Sequence, residues 1–215
     1  MPDSVKAIFL PAAAIGLLVL ALTAGFPRAL GGYFHEGGVV ETLSAVLLFA
    51  AAVLLPARMS GAVYLSIILA LLAEREFDGA LLSDGNPLRI GQEWLETHLL
   101  HNRLFVAALG VWLLWALARK GWPMFRDALR AQRPEPLLLL LAVGFAALGQ
   151  IAGEGAKHFA ALLSETAFVQ LMIVEELAEL YFSVGIFAAL LVGWPQRQIA
   201  GRRNERPDRH APHPR

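Results

Sequence analysis

No cysteine occurs anywhere in the 215 residues, which excludes structural disulfides, thiolate zinc sites, iron–sulfur clusters and cysteine nucleophiles. Any metal would have to use His, Asp or Glu. Charge is scarce too: only 17% of the residues are charged, and 18 basic side chains balance 18 acidic ones. Zero net charge, with no arginine-rich groove interleaved with aromatics, argues against a nucleic-acid partner. Also missing are His-Glu-x-x-His, Gly-x-Ser-x-Gly, a P-loop and the Glu-x-x-His pair of helical di-iron sites. No internal repeat stands above the background similarity of Ala/Leu helices, so an inverted-repeat transporter gains no support.

What is abundant is apolar: 57% of the chain is hydrophobic, too much for an ordinary soluble domain of this length. The expectation is an all-α, polytopic membrane helix bundle. Crossing a hydrocarbon core takes about 20 apolar residues, and six stretches qualify: 6–26, 38–57, 60–82, 102–119, 136–162 and 167–193. The first has a long apolar run, only Lys6 ahead of it and no clear small-x-small cleavage site, so it reads as a retained span.

The connection 120–135, KGWPMFRDALRAQRPE, and the tail 194–215 are rich in arginine, which the positive-inside rule assigns to the cytoplasm. Six spans with both termini cytoplasmic satisfy this, in a cell membrane or bacterial-type inner membrane. On that topology the outer side keeps only Arg28, Arg75, Arg89, Arg103 and Lys157 among the bases. Most carboxylates, with His35, His98, His101 and His158, collect toward the same side, partly as the complement of the basic loops. Residues 1–193 therefore form a six-helix transmembrane domain, and the Pro- and Arg-rich segment 194–215 is expected to be a disordered cytoplasmic tail.

The sixth span carries Glu175, Glu176 and Glu179 with no Lys or Arg within it. At about 100° per residue they share one arc of about 100° and should face the bundle interior. An acid near the bilayer centre costs roughly 2.5–3.5 kcal/mol, so the three need partners, protons or water. In LGQIAGEGAKHFAALL, Gln150, Glu154 and His158 lie on one stripe at i, i+4 spacing. The turn near Ser164 to Thr166 is short, so spans five and six should form a hairpin in which Glu154 and Glu175 meet. In LLAEREFDGALL, Glu74 and Asp78 share a face, Arg75 neutralises one acid locally, and Glu76 points away toward the interface. Glu41 lies about one turn inside span two. The segment QEWLETHLLH reads as an interfacial helix anchored by Trp94, with His98 and His101 as i, i+3 neighbours.

Carboxylates and imidazoles at helical spacing on facing helices are the ingredients of a metal site. The leading expectation is a divalent-metal site with enzymatic activity. Glu41, Glu154, His158, Glu175 and Glu179 would be the ligands, and Glu74, Asp78 and Glu176 the acid–base groups. Two alternatives stand beside it. One is a proton- or cation-coupled transporter, because clustered intramembrane carboxylates suit a proton relay. The other is a non-catalytic subunit whose acids bind a membrane-protein partner or a second copy of the chain. The lipid bilayer is the expected surrounding in every case.

Overall fold

The computed structural model describes residues 38–59, 61–77 and 86–193, with positions 7, 10, 11, 14–16, 18, 19, 21 and 22 before them. The described residues are helical with short turns and no strands: α1 (Val39–Arg58), α2 (Val63–Arg75), α3 (Pro87–Leu95), α4 (Arg103–Ala116), α5 (Trp122–Arg130), α6 (Pro134–Phe159) and α7 (Glu165–Gly193). Wider, π-helical turns at Glu96–Leu100 and Leu117–Gly121 continue α3 and α4. The ten positions before residue 23 are helical as well.

Among the described residues, three helices are long and apolar enough to cross a membrane: Val39–Arg58, Pro134–Phe159 and the continuous Arg103–Arg130 formed by α4, its wide turn and α5. This supports a membrane protein. Part of the expected loop 120–135 is thus helical, up to Arg130. Pro123 lacks the amide that would bond to the carbonyl of Arg119, and the widened turn just before it lets the helix pass the proline. Within the expected span 60–82 the described residues form the 13-residue α2, about 20 Å of helix, and residues 60 and 78–82 lie outside the described residues. The helix closes at Glu76, where the amide of Phe77 bonds back to the carbonyl of Glu74 (3.2 Å). Most of the first expected span, and the tail 194–215, lie outside the described residues.

The packing follows side-chain size. On α1, Ser44, Ala45, Leu48, Ala51, Ala52 and Leu55 are buried, while Leu43, Val46, Phe49 and Val53 are exposed on the opposite side. Bulky apolar groups outside and small ones between helices is the pattern expected where lipid replaces water as the surrounding. The α1–α2 hairpin turns at Gly61, whose φ of +81° lies in the left-handed region that favours glycine. The long α7 is the central element. It packs in one core with Leu48, Leu55, Leu69 and Ala73 through Leu190, and in another with Leu138 through Ala188 and Ala189.

The α6–α7 hairpin forms, but its short turn is at Ala160–Ser164, before the expected Ser164–Thr166, and Glu165 and Thr166 already belong to α7. The Ser164 hydroxyl accepts from the Ala167 amide (3.2 Å) and starts α7. Close approach of the two helices depends on small residues. A methyl group on Gly185 would sit 2.9 Å from the Ala142 side chain, and one on Gly149 3.4 Å from Ala178. Tyr181 packs edge-on against Phe145, ring centroids 5.1 Å apart, and its hydroxyl bonds to the backbone of Gly16, tying the first helical stretch to α7.

Candidate functional site

Three elements bring acids to one place. The first turn of α1 supplies Glu41, where a carboxylate also suits the positive end of the helix dipole. The C-terminal end of α2 supplies Arg75 and Glu76, and α7 supplies Glu175, Glu176 and Glu179. Glu176 is within electrostatic reach of Glu41, Glu76, Glu175 and Glu179, and Glu179 of the same set and Arg75. Arg75 reaches Glu179 through Nη2 at 3.5 Å and Glu76 through Nε at 3.7 Å. Both distances are long beside the roughly 2.7–2.9 Å of a tight charge-assisted hydrogen bond. Among the described residues, the guanidinium of Arg75 is thus loosely held by two members of a group of five carboxyls.

Two details limit what this cluster can be. The carboxyl groups of Glu76 and Glu179 lie close enough to interact directly. Two ionised carboxylates are acceptors only, so a hydrogen bond between them would need a proton. Glu176 is only 7% exposed, and its buried Oε2 finds no hydrogen-bond partner. An unpaired buried polar group of this kind costs about 1–3 kcal/mol, more when charged. The fold tolerates that cost in the middle of an acidic cluster.

Glu76 is the residue that the helical projection misassigned. Continuing the buried stripe of α2 at i, i+4, i+7 spacing gives Leu69, Ala73 and Glu76, all buried. The side facing α1 and α7 is thus the side of Glu76, and the stripe of small and apolar residues before it was the available signal. Glu74 instead is half-buried, with its carboxyl beside that of Glu96. Asp78 lies outside the described residues. The segment bearing Glu96 is held against the end of α2 by the Gln92 side chain, which donates to the carbonyl of Phe77 (3.0 Å).

The structure does not bring Glu154 and His158 to the cluster. Both are exposed on the outer side of α6, Glu154 3.8 Å from Lys157 Nζ and 3.5 Å from His158 Nδ1. The residue of α6 that meets Glu175 is Gly153, where an added methyl group would overlap the Glu175 carboxyl. Equal distance from the turn gave the right depth but the wrong face, because neighbouring positions on a helix differ by about 100°. His98 and His101 also stay apart from the acids. His98 stacks on Trp94 at 5.2 Å, and each ring donates from Nδ1 to a carbonyl of its own segment, Trp94 for His98 and Glu96 for His101.

Glu41, Glu175 and Glu179 among the expected metal ligands are therefore gathered with Glu176, while Glu154 and His158 are not. Among the described residues, no group of three or more His, Asp or Glu side chains is arranged to hold a metal ion. What the arrangement can do chemically is share protons between carboxyls and attract cations. No protein-family model, curated protein or solved structure matches the chain.

Proposed function

We propose that the chain is a proton-coupled membrane transporter whose working site is the carboxylate cluster of Glu41, Glu76, Glu175, Glu176 and Glu179. The observation that carries this is the gathering of glutamates from α1, α2 and α7, in which Glu76 on α2 and Glu179 on α7 lie side by side and could share a proton. A proton there joins two helices, and its loss sets two negative charges against each other in a poorly solvated place. Proton binding is thereby linked to the spacing of α2 and α7, as coupling requires. The charged groups facing the pair are Arg75 from α2, Glu41 from α1, and Glu175 and Glu176 from α7.

The surrounding architecture in this proposal is six spans with both termini cytoplasmic, supported by the arginine-rich segments 120–135 and 194–215. The cluster then opens toward the outer face, and the segment 87–100 lies at that interface beside Glu74. The metal-enzyme alternative keeps support from composition but gains none from the side-chain arrangement.

Reconstituted into proteoliposomes, the wild-type chain should carry protons down an imposed pH gradient, read with a dye trapped inside. Glu179→Gln should reduce that flux at least tenfold. A glutamine amide donates to Glu76 without a titrating proton, so the helices stay joined at every pH. The linkage sign follows: wild-type stability falls as pH rises and the shared proton is lost, while that of Glu179→Gln should vary less. Equal flux in the two proteins would contradict the proposal.

A further inference from the structure

The helix Arg103–Arg130 has two unlike sides. On one, Leu113 and Ala116 pack in a core with Tyr64 of α2. Gly121 continues that side, since a methyl group added to it would lie 3.2 Å from the Tyr64 hydroxyl. The other side is open. Ala107, Ala108, Val111, Trp112 and Trp115 line a shallow apolar groove of about 540 Å³ there. Spaced at i, i+4 and i+8, they form one stripe along the helix. It runs for about 12 Å, close to the roughly 15 Å of one leaflet's hydrocarbon. At its end the Arg119 guanidinium lies over the Trp115 ring, 5.8 Å from the centroid. The wide turn Leu117–Gly121 carries both Arg119 and Lys120, and both are exposed. Arg126, Arg130 and Arg133 follow, exposed as well, and Asp127 is the only acid between Arg119 and Arg133.

Charge selects the occupant. The described positions of the first helical stretch lie elsewhere, Gly16 against Tyr181 and Val19 against Ile173. The tail 194–215 has six arginines and two acids, so these bases repel it. A second copy would cross the membrane in the same direction. A twofold contact through this side then sets Arg119 and Lys120 against their own counterparts. A lipid with an apolar chain and an anionic head complements both parts of the surface.

We propose that this groove binds an anionic phospholipid, with an acyl chain along Ala108, Trp112 and Trp115 and the phosphate at Arg119 and Lys120. The leaflet is the cytoplasmic one on the topology proposed above. Residues 104–118 carry no charge and span about 22 Å of helix. The long basic side chains extend along the apolar surface to bring their heads to the phosphate level. The site is separate from the carboxylate cluster and does not depend on proton coupling.

The test uses the full chain in phosphatidylcholine nanodiscs containing a minor fraction of phosphatidylglycerol, with bromine on the acyl chains of one lipid or the other to quench tryptophan fluorescence. At equal amounts, brominated phosphatidylglycerol should quench more than brominated phosphatidylcholine, by an excess equivalent to at least about fivefold local enrichment. Arg119→Gln combined with Lys120→Gln should remove most of that excess, and Arg103→Gln, at the far end of the same helix, should keep it. Both bases are exposed, so the double variant should keep the wild-type helical circular dichroism spectrum.

Equal quenching by the two lipids in the wild type overturns the proposal. So does an excess that survives the double variant, which assigns it to diffuse attraction by the other bases. Val111→Cys, giving the chain its only thiol, should stay monomeric under oxidation. A disulfide-linked dimer would give this side to a second copy instead.

Discussion

Gly185→Leu is expected to destabilise the chain by about 3 kcal/mol, because α6 and α7 touch where this glycine has no side chain. A single methyl group there would lie 2.9 Å from the Ala142 side chain and 3.4 Å from its Cα. Backbone atoms cannot move aside without parting the helices, and overpacking of this kind costs about 1–3 kcal/mol, sometimes more. Gly144 on the same α6 is the matched control, since nothing lies within 4 Å of a side chain added to it. Gly144→Leu should stay within about 0.5 kcal/mol of wild type. Unfolding followed by circular dichroism in detergent measures both. Parting α6 from α7 would also disturb Glu175 and Glu179, so Gly185→Leu should lose proton flux even in the fraction that remains folded.

Glu176→Leu is expected to do the opposite to stability and the same to function. The side chain is buried, its Oε2 has no partner, and its neighbours Glu41, Glu76, Glu175 and Glu179 are of like kind. Replacing it with an apolar group of similar size removes an unsatisfied acceptor and a source of repulsion. That should stabilise the fold by about 1–3 kcal/mol. Proton flux should fall at least tenfold, because the cluster loses its most buried carboxyl. A stabilised and inactive variant is the mark of a residue kept for function at a cost to the fold. A purely structural role for Glu176 predicts a less stable protein, and the same unfolding experiment separates the two.

The helical, membrane-type architecture was legible from composition and apolar run length, because lipid leaves few options for a chain this apolar. The arc of Glu175, Glu176 and Glu179 was legible as well, since three acids within one helical turn have a fixed angular relation. Facing relations between helices were less accessible. Glu154 has the right depth in the α6–α7 hairpin, yet Gly153 is the residue that meets Glu175. Choosing between them requires knowing which side of α6 is small enough for close approach. The stripe of Ala142, Gly149, Gly153 and Ala156, all buried, answers that, and it is visible in the sequence once small residues are weighted over polar ones.

At the end of α2 a different relation holds. A helical wheel drawn from Glu74 takes the polar side as the inner side and turns Glu76 outward. In α2 the inner side is that of Leu69 and Ala73, and Glu76 continues it. The helix then stops at Arg75, so that Arg75 is at a helix end, where its side chain leans over Glu179. No periodic pattern marks that stop, which arises from local bonding at Glu76 and Phe77.

The central claim is that Glu76 and Glu179 share a proton, and infrared spectroscopy of the reconstituted chain at neutral pH tests it directly. The account predicts a carbonyl band of a protonated carboxyl group, insensitive to sodium and calcium, that is lost or strongly shifted in both Glu76→Gln and Glu179→Gln and retained in Glu154→Gln. A spectrum without such a band, or one left unchanged by both substitutions in the pair, would contradict it.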